Sequence, residues 1–421
     1  MNKVLVVGKG GREHALAWKL SQSSQVEKVY AAPGNAGMTN VATLVDIKET
    51  DFDSLVAFAK NENIALTVIG PDQQVADGIV DRFHAEGLAV WGPTASAARI
   101  ESSKSFAKAL MKKYDIPTAA YEKFTNYKKA CQYLETAKTP IVLKADGLAV
   151  GKGVIITDCK QEAKAALFDM MEGGKFGKSG NTVVIEEFLE GEEFSFMAFV
   201  VGEKVYPMEL ARDYKRAYDG GKGANTGGMG AYSPVPIIDD AMIKEAIEET
   251  LVKTAKAMAK EGYPFTGFLY GGLMATKDGV KVIEYNARFG DPEAEVLLPR
   301  LNGDFYEILH TLLNDGEPEF SWTKDVAVGA MLASEGYPEA PITGHTITGL
   351  ENLSPETLVF HCGTALKNGE YVTNGGRVLM LVRLGADFET ARAELYKEIA
   401  KIKCTHMFYR TDIAAEVKNS Y

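Results

Sequence analysis

Val282-Ile283-Glu284-Tyr285-Asn286-Ala287-Arg288-Phe289-Gly290-Asp291-Pro292-Glu293 starts as an apolar run and ends in a charged turn. In an extended strand, side chains two apart share a face, so Glu284 and Asn286 converge on one point and can offer hard oxygen ligands to magnesium. Arg288 follows at the strand exit, where a guanidinium can neutralise a transferring phosphoryl group or grip a carboxylate. Just upstream, Asp278-Gly279 is a strong two-residue turn signal that joins Gly271 to Thr276 with Val280 to Asn286 as a hairpin. A lone Glu-x-Asn is usually no more than the polar face of a strand. The loops upstream change that reading.

The first of these is Lys144-Ala145-Asp146-Gly147-Leu148-Ala149-Val150-Gly151-Lys152-Gly153, a strand ending in lysine followed by a loop with three glycines. Glycine lets backbone N–H groups approach phosphate oxygens closely, and a lysine on a strand supplies a fixed charge. The string differs from a P-loop because Lys152-Gly153 opens a strand instead of a helix. A flexible hairpin with surface lysines is the alternative. The second is Ala211-Arg212-Asp213-Tyr214-Lys215-Arg216 leading to Asn225-Thr226-Gly227-Gly228-Met229-Gly230, which fits triphosphate recognition with Arg216 as a charge and Asn225 as a neutral donor. A mobile loop without function explains its glycines but not the basic cluster. Between the two lies Glu186-Glu187-Phe188-Leu189-Glu190-Gly191-Glu192-Glu193. Its backbone could read an adenine edge and a carboxylate could accept from ribose hydroxyls, with a solvated acidic turn as the alternative.

Nearer the start, Val4 to Gly8, Lys28 to Ala32, Ala65 to Gly70 and Leu88 to Trp91 are short apolar runs separated by amphipathic helical segments. That pattern predicts parallel strands with crossover helices. Gly8-Lys9-Gly10-Gly11-Arg12-Glu13-His14 is the turn into the first helix, where free N–H groups favour a phosphate. A dinucleotide site is disfavoured, since Glu13 stands at the third glycine position and strand two ends in Ala31-Ala32-Pro33. Taken alone, the turn is equally a tight strand–helix connection. Pro33-Gly34-Asn35-Ala36-Gly37 and Gly70-Pro71-Asp72 follow later strands of the same sheet, at the edge where ligands collect.

The chain has 421 residues, 46% of them hydrophobic and 24% charged, which suits a soluble globular protein of about three domains. A net charge of -11 disfavours broad attraction to nucleic acid or to an anionic membrane. Cys131, Cys159, Cys362 and Cys404 are scattered without zinc spacing and read as reduced, cytosolic thiols. No stretch approaches the length needed to cross a bilayer.

Read together, the strand lysine, glycine loop, acidic hinge, Asn-Thr-Gly-Gly-Met-Gly and Glu-x-Asn-x-Arg-x-Gly-Asp-Pro-Glu resemble the ATP-grasp ligases, and in detail the phosphoribosylamine-glycine ligase family. The likeness runs over nearly the whole chain, including the opening Gly-Lys-Gly-Gly-Arg-Glu-His-Ala and Gly92-Pro93-Thr94. It implies an α/β and α+β multidomain fold. A Rossmann-like parallel-sheet domain would span 1–101, an ATP-grasp module 102–325 with a lid at about 120–190, and a C-terminal α+β domain 326–421. The implied reaction joins glycine to 5-phosphoribosylamine, with ATP giving ADP and phosphate through a glycyl phosphate, in purine biosynthesis in the cytoplasm.

The same resemblance assigns Lys104, Lys144 and Arg216 to ATP phosphates, Glu186, Glu187, Phe188 and Leu189 to adenine, Glu193 to ribose, and Asn225 to the phosphate end. Glu284 and Asn286 would hold Mg2+, or Mn2+ in its place. Asp213, Arg288, Asp291 and Glu293 are the catalytic candidates for glycine and ribosylamine. Gly10, Gly11, Arg12 and Asn35 would hold the sugar phosphate. Many ATP-grasp enzymes carry a third acidic ligand on the preceding strand; Leu273 and its neighbours offer none, in keeping with this subfamily. Residues 146–153 are expected to order over bound nucleotide. The rival readings are another ATP-grasp ligase, such as a purine-pathway carboxylase, and a nucleotide-binding regulator without turnover.

Overall fold

Residues 1–148 and 153–417 are described in the computed structural model; Ala149 to Lys152, the middle of the glycine loop, lie outside the described residues. The N-terminal strands β1 (Asn2–Gly8), β2 (Val26–Pro33), β3 (Thr43–Leu44), β4 (Ile64–Ile69) and β5 (Val90–Trp91) form a parallel sheet in the order β3-β2-β1-β4-β5. Val4, Leu5, Val6 and Val7 are all fully buried, as a parallel strand covered on both faces requires. The order reverses beside β1, so the turns after β1, β2 and β4 open into one crevice.

A small antiparallel lobe follows, built from β6 (Tyr121–Phe124), β7 (Ile141–Ala145), β8 (Val154–Thr157) and β9 (Val183–Glu187) in the order β6-β9-β7-β8. Helices Tyr127–Thr136 and Lys160–Met171 pack on it and close a core of its own, including Leu134, Leu143, Leu167, Met170 and Ile185. A lobe with a private core can shift as a body without unpacking its neighbours.

The central sheet begins with β10 (Glu192–Gly202) and β11 (Lys204–Asp213), interrupted by the ribbon β12 (Arg216–Tyr218) and β13 (Lys222–Asn225). It continues with β14 (Gly230–Ser233), β15 (Phe265–Thr276) and β16 (Gly279–Asn286); β17 (Leu301–Asn302) and β18 (Ser321–Trp322) pair separately. The C-terminal strands β19 (Val326–Ser334) and β20 (Leu358–His361) are followed by a second ribbon, β21 (Thr364–Lys367) and β22 (Glu370–Thr373). Next come β23 (Arg377–Gly385) and β24 (Met407–Phe408). All but the three ribbons join one sheet in the order β16-β15-β10-β11-β14-β19-β23-β20, with β24 on the end of β19. The segment after 326 thus shares a sheet with the preceding lobe. Every residue of β19 is buried, and such a strand needs a partner on each side; it finds β14 and β23.

One irregularity in β16 aims the site. Gly272 pairs with Glu284 but Leu273 with Val282, which leaves Ile283 as a bulged residue. Val280 and Val282 enter the core, and so does Tyr285, whose hydroxyl accepts from Thr254 Oγ1 at 2.6 Å. Strict alternation from Val282 would have sent Glu284 inward with them. The extra residue reverses the faces, so Glu284 and Asn286 turn to the cavity instead. No helix among the described residues is long and apolar enough to cross a membrane.

Candidate active site

The small antiparallel lobe, the central sheet, the N-terminal domain and the C-terminal segment meet around a cavity of about 750 Å³. It falls within the size range of small-molecule sites. Its lining includes Lys104, Lys108 and Lys144, Glu284, Asn286 and Arg288, and Asp213, Lys215, Asp291, Glu293 and Arg377.

The lysines are fixed by the folding of the glycine loop's first residues. Asp146 accepts from Ser105 N at 3.0 Å and Ser105 Oγ at 2.6 Å, and so caps the start of helix Lys104–Lys113. Lys104 Nζ donates to Gly147 O at 2.8 Å. Lys144 Nζ donates to the carbonyl of the bulged Ile283 at 2.9 Å and lies 3.1 Å from Glu186 Oε2, which also takes Lys108 Nζ at 2.9 Å. Glu186 Oε1 is buried with no partner among the described residues. Burial pushes Lys108 down to about 8, against the pull of Glu186, and it lowers Lys104 as well.

For Glu284, burial works against the charge, but Lys215, Lys144, Lys104 and Arg288 together hold its carboxyl below the ordinary range. Arg288 lies 3.2 Å from Glu101 Oε1 and donates to Asn286 Oδ1 at 3.4 Å, and its buried Nε has no partner among the described residues. Glu101 Oε2 in turn accepts from Ala287 N at 2.7 Å, pinning the strand exit. A divalent cation fits this donor set. Glu284 supplies an ionised hard oxygen and Asn286 a neutral one. Among the described residues no group of three acidic, histidine or cysteine side chains gathers into an all-protein cage. Magnesium is commonly held in just this way, by one or two protein oxygens with substrate phosphates completing the shell.

Farther along, Ser195 Oγ donates to Glu293 Oε1 at 2.8 Å and lies 3.0 Å from Tyr270 Oη. Lys215 pairs with Glu193 and stands 3.9 Å from Asp213 Oδ1. Burial pushes the Asp213 carboxyl up to about 7; Lys215 opposes the rise, and Glu293 and Glu193 add to it. The ordinary value is 3.8, so between about pH 4 and 7 the folded chain keeps a proton that the unfolded chain has released. Stability contributed by this site therefore falls as pH rises through that window. Asp213→Asn should raise the melting midpoint more at pH 8 than at pH 5. A calorimetric difference that is equal at both pH values, or larger at pH 5, would contradict the burial assignment.

Of the residues singled out in the sequence, Lys104, Lys144, Glu186, Glu193, Asp213, Arg216, Asn225, Glu284, Asn286, Arg288, Asp291, Glu293 and Arg12 come together around the cavity. Glu187, Phe188, Leu189, Gly10, Gly11 and Asn35 do not line it. Glu187 Oε1 accepts from Ala120 N at 3.0 Å, and Phe188 is exposed. Asn35 spends its amide on Lys9 O and His361 O, both at 2.8 Å, and its Oδ1 on Gly37 N. Gly10 N donates to Glu13 Oε2 at 2.5 Å, so the turn's open donor is met by its own helix. A Cβ on Gly8 would lie 2.5 Å from Glu13 Cγ, so that glycine makes room for Glu13. Sequence reasoning missed Lys108, Glu101, Lys215 and Arg377. Lys108 sits one helical turn after Lys104 on the same face, a signal that was available. Lys215 stood in the basic cluster without a role of its own, and Glu101 and Arg377 are brought in by tertiary contacts alone.

The chain matches the family description "Phosphoribosylglycinamide synthetase, N domain" over residues 2–101, "ATP-grasp (A) domain" over 102–294 and "C domain" over 327–416. It is 54% identical over 413 residues to a phosphoribosylamine-glycine ligase of Halalkalibacterium halodurans, covering 98% of this chain and 96% of that one. With the protein of the same name from Listeria monocytogenes it shares 50% identity over 418 residues, covering 99% and 100%. A crystal structure of phosphoribosylamine-glycine ligase from Thermotoga maritima superposes with a TM-score of 0.85 at 37% identity, over 97% of this chain and 99% of that one.

Proposed function

The chain belongs to the phosphoribosylglycinamide synthetase family, and from that premise we propose that this ATP-grasp ligase joins glycine to 5-phosphoribosylamine, forming glycinamide ribonucleotide, ADP and phosphate. One observation carries the reading: a single cavity is lined by Lys104, Lys144 and Lys215, whose charges act on Glu284 of the Glu284–Asn286 pair, and also by the acids Asp213 and Glu293. The cations suit a triphosphate, and the acids suit an amine and an ammonium.

A carboxylate is a poor electrophile at neutral pH. One oxygen of the glycine carboxylate therefore attacks the γ-phosphorus of ATP, and ADP leaves. The ribosyl amine then attacks the carbonyl carbon of the glycyl phosphate, and inorganic phosphate leaves with that oxygen. No protein nucleophile is required; the chain's work is positioning and charge stabilisation. Lys104 and Lys144 hold the nucleotide phosphates, with Arg216 and Asn225 on the facing ribbon. Arg288 steadies the carboxylate being phosphorylated. Glu193 is assigned to the ribose, and the backbone of 186–189 to adenine. Glu284 and Asn286 would hold Mg2+ or Mn2+, which when bound supplies charge neutralisation at the phosphates. The attacking amine must shed a proton, and Asp213, held near neutrality, is suited to accept it. Arg12 reaches the cavity from the N-terminal domain and is assigned to the sugar phosphate.

The test is ADP release measured with each substrate omitted in turn. Release that requires both glycine and ribosylamine is expected. Release with bicarbonate or another amine in their place would favour a different ATP-grasp ligase, and nucleotide binding without release would favour a regulator.

A further inference from the structure

Gly227 is gripped at both ends by the C-terminal segment. Its N–H donates to Tyr337 Oη at 2.9 Å and its carbonyl accepts from Arg377 Nη1 at 2.8 Å. The same Nη1 donates to the backbone oxygen of Asp291 at 3.1 Å and lies 2.8 Å from Asp291 Oδ1. One guanidinium thus ties the loop Asn225–Gly230 to the turn Arg288–Glu293, and Arg377 itself faces the cavity.

The arrangement is built, with each partner held in place. Ser334, at the end of β19, donates from N to Gly376 O at 2.7 Å and from Oγ to Gly375 O at 2.8 Å, which fixes the turn that presents Arg377. Gly376 leaves room for the Tyr337 ring, which a Cβ there would strike. A Cβ on Gly227 would sit 3.1 Å from Arg377 Cζ, so the close approach uses the missing side chain. Inward from the clamp, Gly228 N donates to Thr226 Oγ1 at 3.0 Å, and Thr226 Oγ1 donates to Lys215 O at 2.9 Å. The hold on Gly227 is therefore passed by hydrogen bonds to the lysine that pairs with Glu193.

We propose that Tyr337 and Arg377 are positioning residues for the ligase reaction: from outside the ATP-grasp module they clamp the Gly227 peptide, setting loop 225–230 and Lys215 against Asp291. This rests on the ligase reading above. Neither residue is asked to touch a reacting atom. Their effect is on the geometry of groups that do, and misplacement of about 1 Å is enough to cost up to about 100-fold in rate.

The test compares wild type with Tyr337→Phe, Arg377→Lys and Arg377→Ala, reading kcat, KM for ATP and glycine, and hydrogen exchange in a fragment covering 225–230. Tyr337→Phe removes one hydroxyl and serves if Arg377→Ala does not fold. Expected are faster exchange in that fragment, unchanged exchange in β19, and a kcat lowered by about tenfold with KM for ATP within about twofold. Arg377→Lys should recover part of what Arg377→Ala loses, since it keeps the charge but not the fork. Unchanged kcat in both Tyr337→Phe and Arg377→Lys overturns the proposal, as does a lower kcat with unchanged exchange at 225–230. Failure of the ligase reading itself would appear in wild type, as ADP release that does not need both substrates, before any variant is compared.

Discussion

Glu284→Gln is expected to lower kcat by about 100-fold or more, the scale of losing one preorganised electrostatic group at a site of charge transfer. The bulge at Ile283 delivers this carboxylate to the cavity floor, and Lys215, Lys144, Lys104 and Arg288 keep it ionised. Glutamine has the same shape and fills the same space, so the packing of β16 is preserved. What is lost is the one charged protein oxygen assigned to the metal. Folding should suffer far less than turnover. A carboxyl held below its ordinary range stabilises the fold above that range, and loses this contribution as pH falls through the lowered value, so the variant gives up some stability at neutral pH and little in acid. Turnover at saturating magnesium separates the two effects. A kcat equal to that of wild type would remove Glu284 from the metal site.

Most of the strands were legible because their signals are local. The hairpin forms where Asp278-Gly279 signals it, but its two turn residues are Lys277 and Asp278, with Gly279 at positive φ already paired to Thr276, one residue earlier than the Asp-Gly reading places it; the four N-terminal apolar runs form the parallel sheet. The polar strand face at Glu284 and Asn286 was legible as well, although the bulge that aims it was not: a bulge is set by the partner strand, and Val282-Ile283-Glu284 carries no mark of it. The resemblance implies a domain starting at 326, but whether β19 begins a new sheet or extends an old one depends on which edges are open, a property of the assembled fold.

At the site, glycine strings were read as places for phosphate, and in the described residues several serve other residues instead. Gly8 accommodates Glu13, and Gly227 lets Arg377 approach. A glycine records that something comes close, without recording what. Lys215 could be seen in the basic cluster, yet its pairing with Glu193 joins residues 22 apart in sequence and is visible only after folding. Arg377 arrives from 150 residues beyond Gly227.

The central claim is that ATP activates the glycine carboxylate as an acyl phosphate, and the fate of one oxygen decides it. When a carboxylate oxygen attacks the γ-phosphorus, that oxygen becomes the bridge of the glycyl phosphate; when the amine attacks carbon, the bridge leaves with phosphorus. Activation through an adenylate would instead carry the oxygen into AMP. Lys215, Lys144, Lys104 and Arg288 all act on Glu284, and Lys215 stands 3.9 Å from Asp213, one of the acids assigned to the amine, which favours attack at the terminal phosphorus. Glycine labelled with heavy oxygen in its carboxylate, incubated with ATP and ribosylamine and followed by mass spectrometry of the products, should pass one labelled atom to inorganic phosphate per turnover, with ADP as the nucleotide product. Unlabelled phosphate, or label appearing in AMP, would contradict the account.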